Sequence, residues 1–233
     1  FGPCAFMDRY DPRTVFSSID HGGRYAFGNQ PMVGQWNIAR LAEALLAILD
    51  DDQDRAVEAA NAAVTRFMDR FQAHWKTTIR AKIGLGDDEE DGDQTLIRDL
   101  LVTLYEEKAD YTLAFRRLAD AAENETADST LASLLADPAA LGPWLALWRE
   151  RLSRETAPPQ ARAAAMRRVN PAFIPRNHKV EEALTEAVDH GDFSLFEALN
   201  AVLARPYEDQ PAFSAFAGPP KPGEEVTATF CGT

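Results

Sequence analysis

The longest regular pattern in this 233-residue sequence is a row of apolar residues that recur every three or four positions between Ala56 and Ile79. Charged residues occupy the intervening positions, so the pattern predicts one long amphipathic helix rather than a strand, in which side chains alternate with a period of two. The row consists of Ala56, Ala60, Ala63 or Val64, Phe67, Phe71, Trp75 and Ile79. Gly84 is the expected end of the helix, because glycine often follows a helix C-terminus.

The same three- and four-residue spacing begins at Gln35 and recurs along most of the chain. Further helical patterns cover 96–104, 111–118, 141–152, 160–169, 180–188 and 196–203. We find no convincing run of alternating apolar and polar residues and no internal repeat. The sequence therefore predicts a mainly α fold.

Both ends of the chain lack this periodicity. Residues 1–34 are rich in glycine and proline, which is typical of an extended or looped segment, and residues 206–233 contain five prolines. Within this tail, Glu225–Phe230 could pair as a short edge strand. We therefore divide the chain into an irregular segment 1–34, a helical region 35–205 and an irregular tail 206–233 that ends near Cys231.

Charge and cysteine content exclude several classes of partner. The chain has 24 Lys and Arg against 37 Asp and Glu, a formal net charge of -13, which repels nucleic-acid backbones and anionic lipid surfaces. No run approaches the roughly 18 apolar residues of a membrane span. Two cysteines, Cys4 and Cys231, are too few for a disulfide framework. We expect a soluble cytoplasmic protein that binds neither nucleic acid nor membrane.

The sequence contains no convincing metal or phosphate motif. The acidic stretch 86–93 resembles a calcium loop, but Arg98 stands where such a loop needs a bidentate glutamate, so a solvated loop between two helices is expected. None of the four histidines lies in a zinc-protease frame, and His178 beside Glu181 and Glu182 is better explained as a helix start than as a metal site. Glycine-rich phosphate loops and nucleophile elbows are absent from the sequence.

One polar stretch has the composition of a functional loop. Residues 20–31 combine Asp20, His21 and Arg24 with an amide pair and three glycines ahead of a helix, as in loops that position polar groups. The alternative is a structural loop in which Asp20 and Arg24 pair with each other. Residue chemistry alone leaves both interpretations open.

Several motifs resemble one known family, the selenoprotein O family, also called YdiU. At the start of the chain these are Phe1-Gly2-Pro3, Phe6-Met7-Asp8, Asp20-His21-x-Gly23-Arg24-Tyr25, Asn29-Gln30-Pro31 and Trp36-Asn37-x-x-Arg40-Leu41-Ala42. Further along they are Asp110-Tyr111-Thr112-x-x-Phe115-Arg116-x-Leu118, Val169-Asn170-Pro171, Arg176-Asn177, Gly191-Asp192, Pro206-Tyr207 and Cys231. The resemblance runs from the first residue to the terminal cysteine.

This resemblance implies a protein-kinase-like fold, of which this chain would form the helical C-terminal lobe. It also implies transfer of AMP from ATP to Ser, Thr or Tyr hydroxyls of other proteins, with ATP and Mg²⁺ as cofactors. Phe1-Gly2 matches the second and third positions of the family's metal motif, so Gly2 would follow a metal-binding Asp expected just before Phe1. The catalytic and ATP-binding groups would likewise lie upstream, and we expect this fragment to be inactive alone.

The resemblance also bears on the two cysteines. In some bacterial members a cysteine in the segment after the metal motif forms a disulfide with the terminal cysteine, but Phe16 occupies the corresponding place here. Cys231 matches the terminal cysteine and remains a redox candidate, with Cys4 as an alternative partner if the two ends meet.

We therefore expect the C-terminal part of a protein AMP transferase, with Asp20, His21 and Arg24 in supporting roles. Its partners would be its own missing N-terminal half and protein substrates, or an oligomer that covers exposed apolar surface. The alternative is a non-catalytic helical module that binds a partner protein.

Overall fold

The computed structural model describes residues 6–229, and this part of the chain holds nine α-helices joined by loops, short 3-10 turns and one π-helical turn, Glu186–His190. The helices are α1 (Gln30–Leu49), α2 (Gln53–Lys82), α3 (Asp93–Glu106), α4 (Tyr111–Glu123), α5 (Asp128–Ala132), α6 (Gly142–Leu152), α7 (Pro159–Val169), α8 (Asn177–Thr185) and α9 (Ser194–Leu203). Between residues 6 and 229 there is no strand, only an isolated antiparallel bridge between Arg9 and Asp110. The predicted mainly α class is confirmed.

The main core forms where α3, α4 and α6 meet the C-terminal end of α2. Trp144 and Trp148 lie one turn apart on α6 and stack with ring centroids 5.4 Å apart. Each indole N–H donates to a backbone carbonyl at 2.8 Å, Trp144 to Leu96 and Trp148 to Ile83. Because both indole nitrogens are satisfied, the two largest core side chains are buried without leaving a polar group unpaired. A smaller core joins Phe173 to α9.

The long helix predicted from the apolar row is confirmed as α2, which ends at Lys82. Gly84 follows with φ +82°, a left-handed conformation that favours glycine. A Cβ at this position would lie 2.9 Å from Sδ of the buried Met166. The glycine therefore permits both the turn and the close approach of α7 to the end of α2.

Helix α1 begins at Gln30, five residues earlier than the apolar pattern indicated. Pro31 lies in its first turn, where proline costs no hydrogen bond and favours helix initiation. The start of the helix therefore lies inside the segment that was predicted to be irregular, because glycine and proline were interpreted there as loop signals.

The predicted edge strand in the tail is wrong for its described residues, 225–229. Of these residues, Thr229 alone forms a backbone hydrogen bond with the N-terminal segment. Its carbonyl accepts from the N–H of Ser18 at 2.7 Å. Its hydroxyl donates to the Phe16 carbonyl at 2.8 Å, and its own N–H donates to the Ser18 hydroxyl at 3.0 Å. Side-chain oxygens thus take the places of ladder hydrogen bonds.

The expectation of a solvated acidic loop at 86–93 is wrong for Asp93, which is 1% exposed. Its carboxylate accepts from Nε of Arg151 at 2.7 Å and from Nε of Arg80 at 3.1 Å. Burial alone would raise the pKa of Asp93, but the hydrogen bonds from Arg151 and Glu90 and the nearby cations hold it below its usual value. The loop is therefore tied to α2 and α6 by buried charge pairs.

Helices α1 and α2 pack side by side as a hairpin, and the last turns of α2 join the main core. No residue of α1 is buried, and the buried residues of α2 are Ala56, Ala60 and Ile79. None of the helices between residues 6 and 229 combines the length and apolar character needed to span a bilayer.

Candidate functional site

The segment that leads from Phe6 to α1 is held by a buried arginine. Arg176 is 1% exposed, and its guanidinium donates to both carboxylate oxygens of Asp110, at 2.6 and 3.1 Å, and to Asp8 at 2.5 Å. It also donates twice to the carbonyl of Ala217, at 3.0 and 3.2 Å. One planar cation therefore joins the N-terminal segment, the start of α4 and the tail.

Backbone hydrogen bonds reinforce this junction. Asn177 exchanges two hydrogen bonds with the backbone of Phe6, accepting at 3.1 Å and donating at 2.8 Å. The N–H of Tyr111 donates to the Asp8 carbonyl at 2.8 Å, and the N–H of Tyr10 donates to the Ala109 carbonyl at 2.9 Å. Asp110 also caps α4 by accepting from the N–H of Leu113. The position of residues 6–10 is thus set by α4 and by the start of α8.

Behind this junction lies an aromatic cluster with one cation. Tyr10 stacks on Tyr111 with ring centroids 5.3 Å apart, and Phe27 meets Tyr111 edge-on at 6.0 Å. Lys82 Nζ lies 4.7 Å from the ring centre of Phe115. Burial lowers the pKa of Lys82 to about 8 and, with the neighbouring Tyr10, raises the pKa of Tyr111 to about 12.

The three candidate residues of the polar stretch do not converge on one point. Both Asp20 oxygens accept backbone N–H groups, those of Arg24 and Tyr25, each at 2.8 Å, so the carboxylate stabilises a turn. The Arg24 guanidinium instead lies over the Trp36 ring at 4.5 Å, and His21 is exposed. The alternative prediction that the Asp20 and Arg24 side chains pair with each other is therefore wrong, because Asp20 accepts only from the Arg24 backbone. Supporting roles for these three residues stay a prediction.

A cavity of about 850 Å³ opens between the N-terminal segment, the start of α8 and the tail. Its lining includes Asp8, Lys108, His178 and Val226. His178 is 9% exposed, and burial followed by the neighbouring Lys179 lowers its pKa. Its Nδ1 has no hydrogen-bond partner among the described residues.

The remaining sequence candidates have no described structure. Gly2, Cys4 and Cys231 lie outside residues 6–229, so the Cys4–Cys231 pairing stays a prediction. Phe16 is buried beside Thr229. Among residues 6–229, no group of three or more His, Cys, Asp or Glu side chains could hold a metal ion.

Comparison with known proteins decides the family. The model for the family described as protein adenylyltransferase SelO matches residues 1–204. The chain belongs to the SelO family. It is 59% identical over all 233 residues to the protein nucleotidyltransferase YdiU of Rhizobium leguminosarum bv. trifolii and 60% identical to that of Rhizobium meliloti. The corresponding protein of Bradyrhizobium sp. is 53% identical. This chain spans only 46–47% of the length of these relatives.

The motifs that suggested the SelO family meet in the fold as two buried arginine junctions. Arg176 brings Asp8 and Asp110 together, as described above. Arg116 donates to the carbonyls of Asn170 and Tyr207, at 3.0 and 3.2 Å, and to the carboxylate of Asp209 at 2.6 Å. Residue chemistry alone missed both junctions, because the partners named here lie 54 to 168 positions from their arginine in sequence. The signal was the presence of all the members named here except Asp209 in the quoted SelO motifs.

Proposed function

We propose that this chain forms the C-terminal part of a protein adenylyltransferase that transfers AMP from ATP to Ser, Thr or Tyr hydroxyls of proteins. In this reaction the acceptor oxygen bonds to the α-phosphorus and pyrophosphate leaves. ATP supplies the AMP, and Mg²⁺ neutralises phosphate charge in the intact protein. The intact protein would have a protein-kinase-like fold, in which this chain forms the helical lobe. It would be cytoplasmic. Membership of the SelO family supports the reaction class.

The observation that carries this proposal is the anchoring of residues 6–10 by Arg176, Asn177 and the start of α4. A nucleotide-transfer site needs its metal-binding carboxylate held within a fraction of an ångström of its working position. The SelO resemblance implies that this carboxylate belongs to the same segment as Phe6 and Asp8, which are fixed on the helical lobe by Asn177 and Arg176. We propose that this anchoring helps to fix the segment that leads to the metal site, and that the groups that bind ATP belong to the rest of the polypeptide.

Labelled ATP tests the proposal. We expect the 233-residue chain with Mg²⁺ and α-labelled ATP to label neither itself nor added protein, because the SelO resemblance implies that the groups that bind the phosphates lie in the rest of the polypeptide. The full-length polypeptide that contains this chain should transfer the α label to protein but leave the γ label in pyrophosphate. Labelling by the chain alone, or γ-labelled protein from the full-length polypeptide, would contradict the proposal.

The second candidate, a non-catalytic helical module, is favoured by the uncovered apolar residues of α1. It predicts that the full-length polypeptide binds a partner protein but transfers neither label. The same assay therefore separates the two functions.

A further inference from the structure

Four large apolar side chains are exposed where α8 meets α9. Helix α8 continues into the π-helical turn Glu186–His190, and Gly191 follows with φ +66°. Such wide turns are rare in helices and are frequent at functional sites. The four side chains belong to Leu184, Val188, Phe193 and Phe196, which are 51%, 80%, 57% and 47% exposed. We call these four residues the α8–α9 tip.

The α8–α9 tip forms one surface because the two helices pack against each other. Leu184 and Val188 are four positions apart, and Phe193 and Phe196 are three apart, as are neighbours on one helix face. Both pairs flank Gly191, so they lie at the same end of the two helices. The axes of packed helices are about 8–10 Å apart. A single bound segment can therefore contact all four side chains.

The sequence around the α8–α9 tip is acidic. Residues 181–197 contain six acidic residues and no Lys or Arg. Two of the six are paired, Glu182 with Lys179 at 2.7 Å and Glu186 with His190 at 3.1 Å. The second pair does not divide the tip, because Glu186 lies two positions from both apolar residues of α8, on the opposite side of the helix. The other four acidic residues are exposed and form no ion pair within residues 6–229, and they are Glu181, Asp189, Asp192 and Glu197.

Charge complementarity identifies the partner. An exposed apolar patch with a polar rim is typical of a protein-binding surface. Apolar side chains of a partner would cover the tip, and its Lys and Arg side chains would face the four free carboxylates. A second copy does not fit, because a two-fold contact sets the same surface against itself and would bring two acidic rims together. The same negative charge repels anionic lipid and nucleic acid.

We propose that the α8–α9 tip is a docking site for a separate protein, and that it binds a segment in which apolar residues are interspersed with Lys and Arg. The tip lies about 15–20 Å along α8 from Arg176, at 1.5 Å per residue. A partner can therefore bind there without covering the junction that holds the N-terminal segment. This inference goes beyond the proposed function, and it holds whatever reaction the intact protein performs.

A pair of synthetic peptides tests the docking site. The probe is a fluorescent peptide of leucine and lysine with the leucines in helical spacing, and the control peptide has glutamate in place of every lysine. We expect the full-length polypeptide that contains this chain to bind the Leu–Lys peptide, measured by fluorescence anisotropy. The Leu–Glu peptide should bind at least about tenfold more weakly, because its charges face the carboxylates of the tip. Added salt should weaken binding of the Leu–Lys peptide, since exposed charges are screened.

Matched substitutions separate the α8–α9 tip from the rest of the acidic surface. Phe196→Ser and Val188→Ser should each weaken binding of the Leu–Lys peptide by about tenfold or more, because an apolar contact is lost. Leu147→Ser, which replaces an apolar residue 58% exposed on α6, should leave the affinity unchanged. Glu197→Gln should also weaken binding, whereas Glu58→Gln, exposed on α2, should not. Equal affinities of the tip variants and their controls would overturn the proposal.

The outcomes separate this inference from the proposed function. A full-length polypeptide that transfers AMP but does not bind the Leu–Lys peptide at the tip would overturn the docking site alone. Binding at the tip without AMP transfer would support the docking site and contradict the function. Binding by the 233-residue chain but not by the full-length polypeptide would show that the rest of the polypeptide covers the tip. A dimer mass by light scattering that Val188→Ser abolishes would show that a second copy covers it. Either of these last two results would overturn the proposal.

Discussion

At the scale of single residues, Arg176 should be the side chain whose loss costs most. Arg176→Ala leaves the buried Asp110 carboxylate and the neighbouring Asp8 without their cation, and removal of one partner of a buried ion pair costs about 3–5 kcal/mol. We expect this drop in the free energy of unfolding by urea at pH 7. Arg205→Ala, which breaks an exposed pair with Glu208, should cost less than about 0.5 kcal/mol. Equal losses would show that the junction does not stabilise the fold.

Lys82 gives a pH-dependent prediction at the same scale. Its pKa falls from 10.5 to about 8 in the folded chain, so between these values the unfolded chain binds more protons and stability rises with pH. The destabilisation is fully present below pH 8 and disappears as pH approaches 10.5. Lys82→Met removes the buried charge but also the cation–π contact with Phe115. The net effect should be a rise of about 1–2 kcal/mol in the free energy of unfolding at pH 7.

The measurement compares the unfolding of Lys82→Met and the original chain at pH 7 and pH 9.5. The advantage of the variant should shrink at the higher pH, because the original lysine is then mostly neutral. A constant difference between the two proteins would mean that burial does not shift the pKa of Lys82.

At the scale of secondary-structure elements, the contact between α2 and α7 depends on Gly84. Gly84→Ala adds a Cβ at φ +82° and only 2.9 Å from Sδ of Met166. Gly191→Ala adds one at φ +66° with no atom within 4 Å, so it carries the cost of the left-handed conformation alone, about 1–2 kcal/mol. We expect Gly84→Ala to lose about 1–2 kcal/mol more than Gly191→Ala in thermal unfolding, because crowding adds to the same backbone cost. Similar losses would mean that Met166 moves aside freely.

At the scale of the whole molecule, stability should be uneven. Helix α4 lies in the main core with Phe115 and Leu118 each 1% exposed, whereas α1 has no buried residue. Local opening of α1 should therefore require much less free energy than global unfolding. Hydrogen exchange followed by mass spectrometry should show α1 amides exchanging about tenfold faster or more than those of α4. Equal protection would indicate that the chain alone already buries α1.

Much of the helical architecture could be predicted from the sequence, because helical periodicity is a local property. The row from Ala56 to Ile79 predicted α2, and the expected stop at Gly84 lies two residues beyond its last residue, Lys82. The start of α1 was missed because Pro31 signals either a loop or a first helical turn, and only the hydrogen bonds of the following residues distinguish these. The acidic loop was misjudged at Asp93 because charge runs are usually exposed, and its arginine partner, Arg151, lies 58 positions away.

The sequence by itself determined the helical class and, through its motifs, the SelO family. Only the tertiary structure decided that Asp8, Asp110 and Arg176 form one junction, that Asp20 stabilises a turn and that α1 is left uncovered. The physical reason is the distance along the chain over which each interaction acts. Periodicity and capping act within a few residues, whereas ion pairing and burial depend on which distant segments the fold brings into contact.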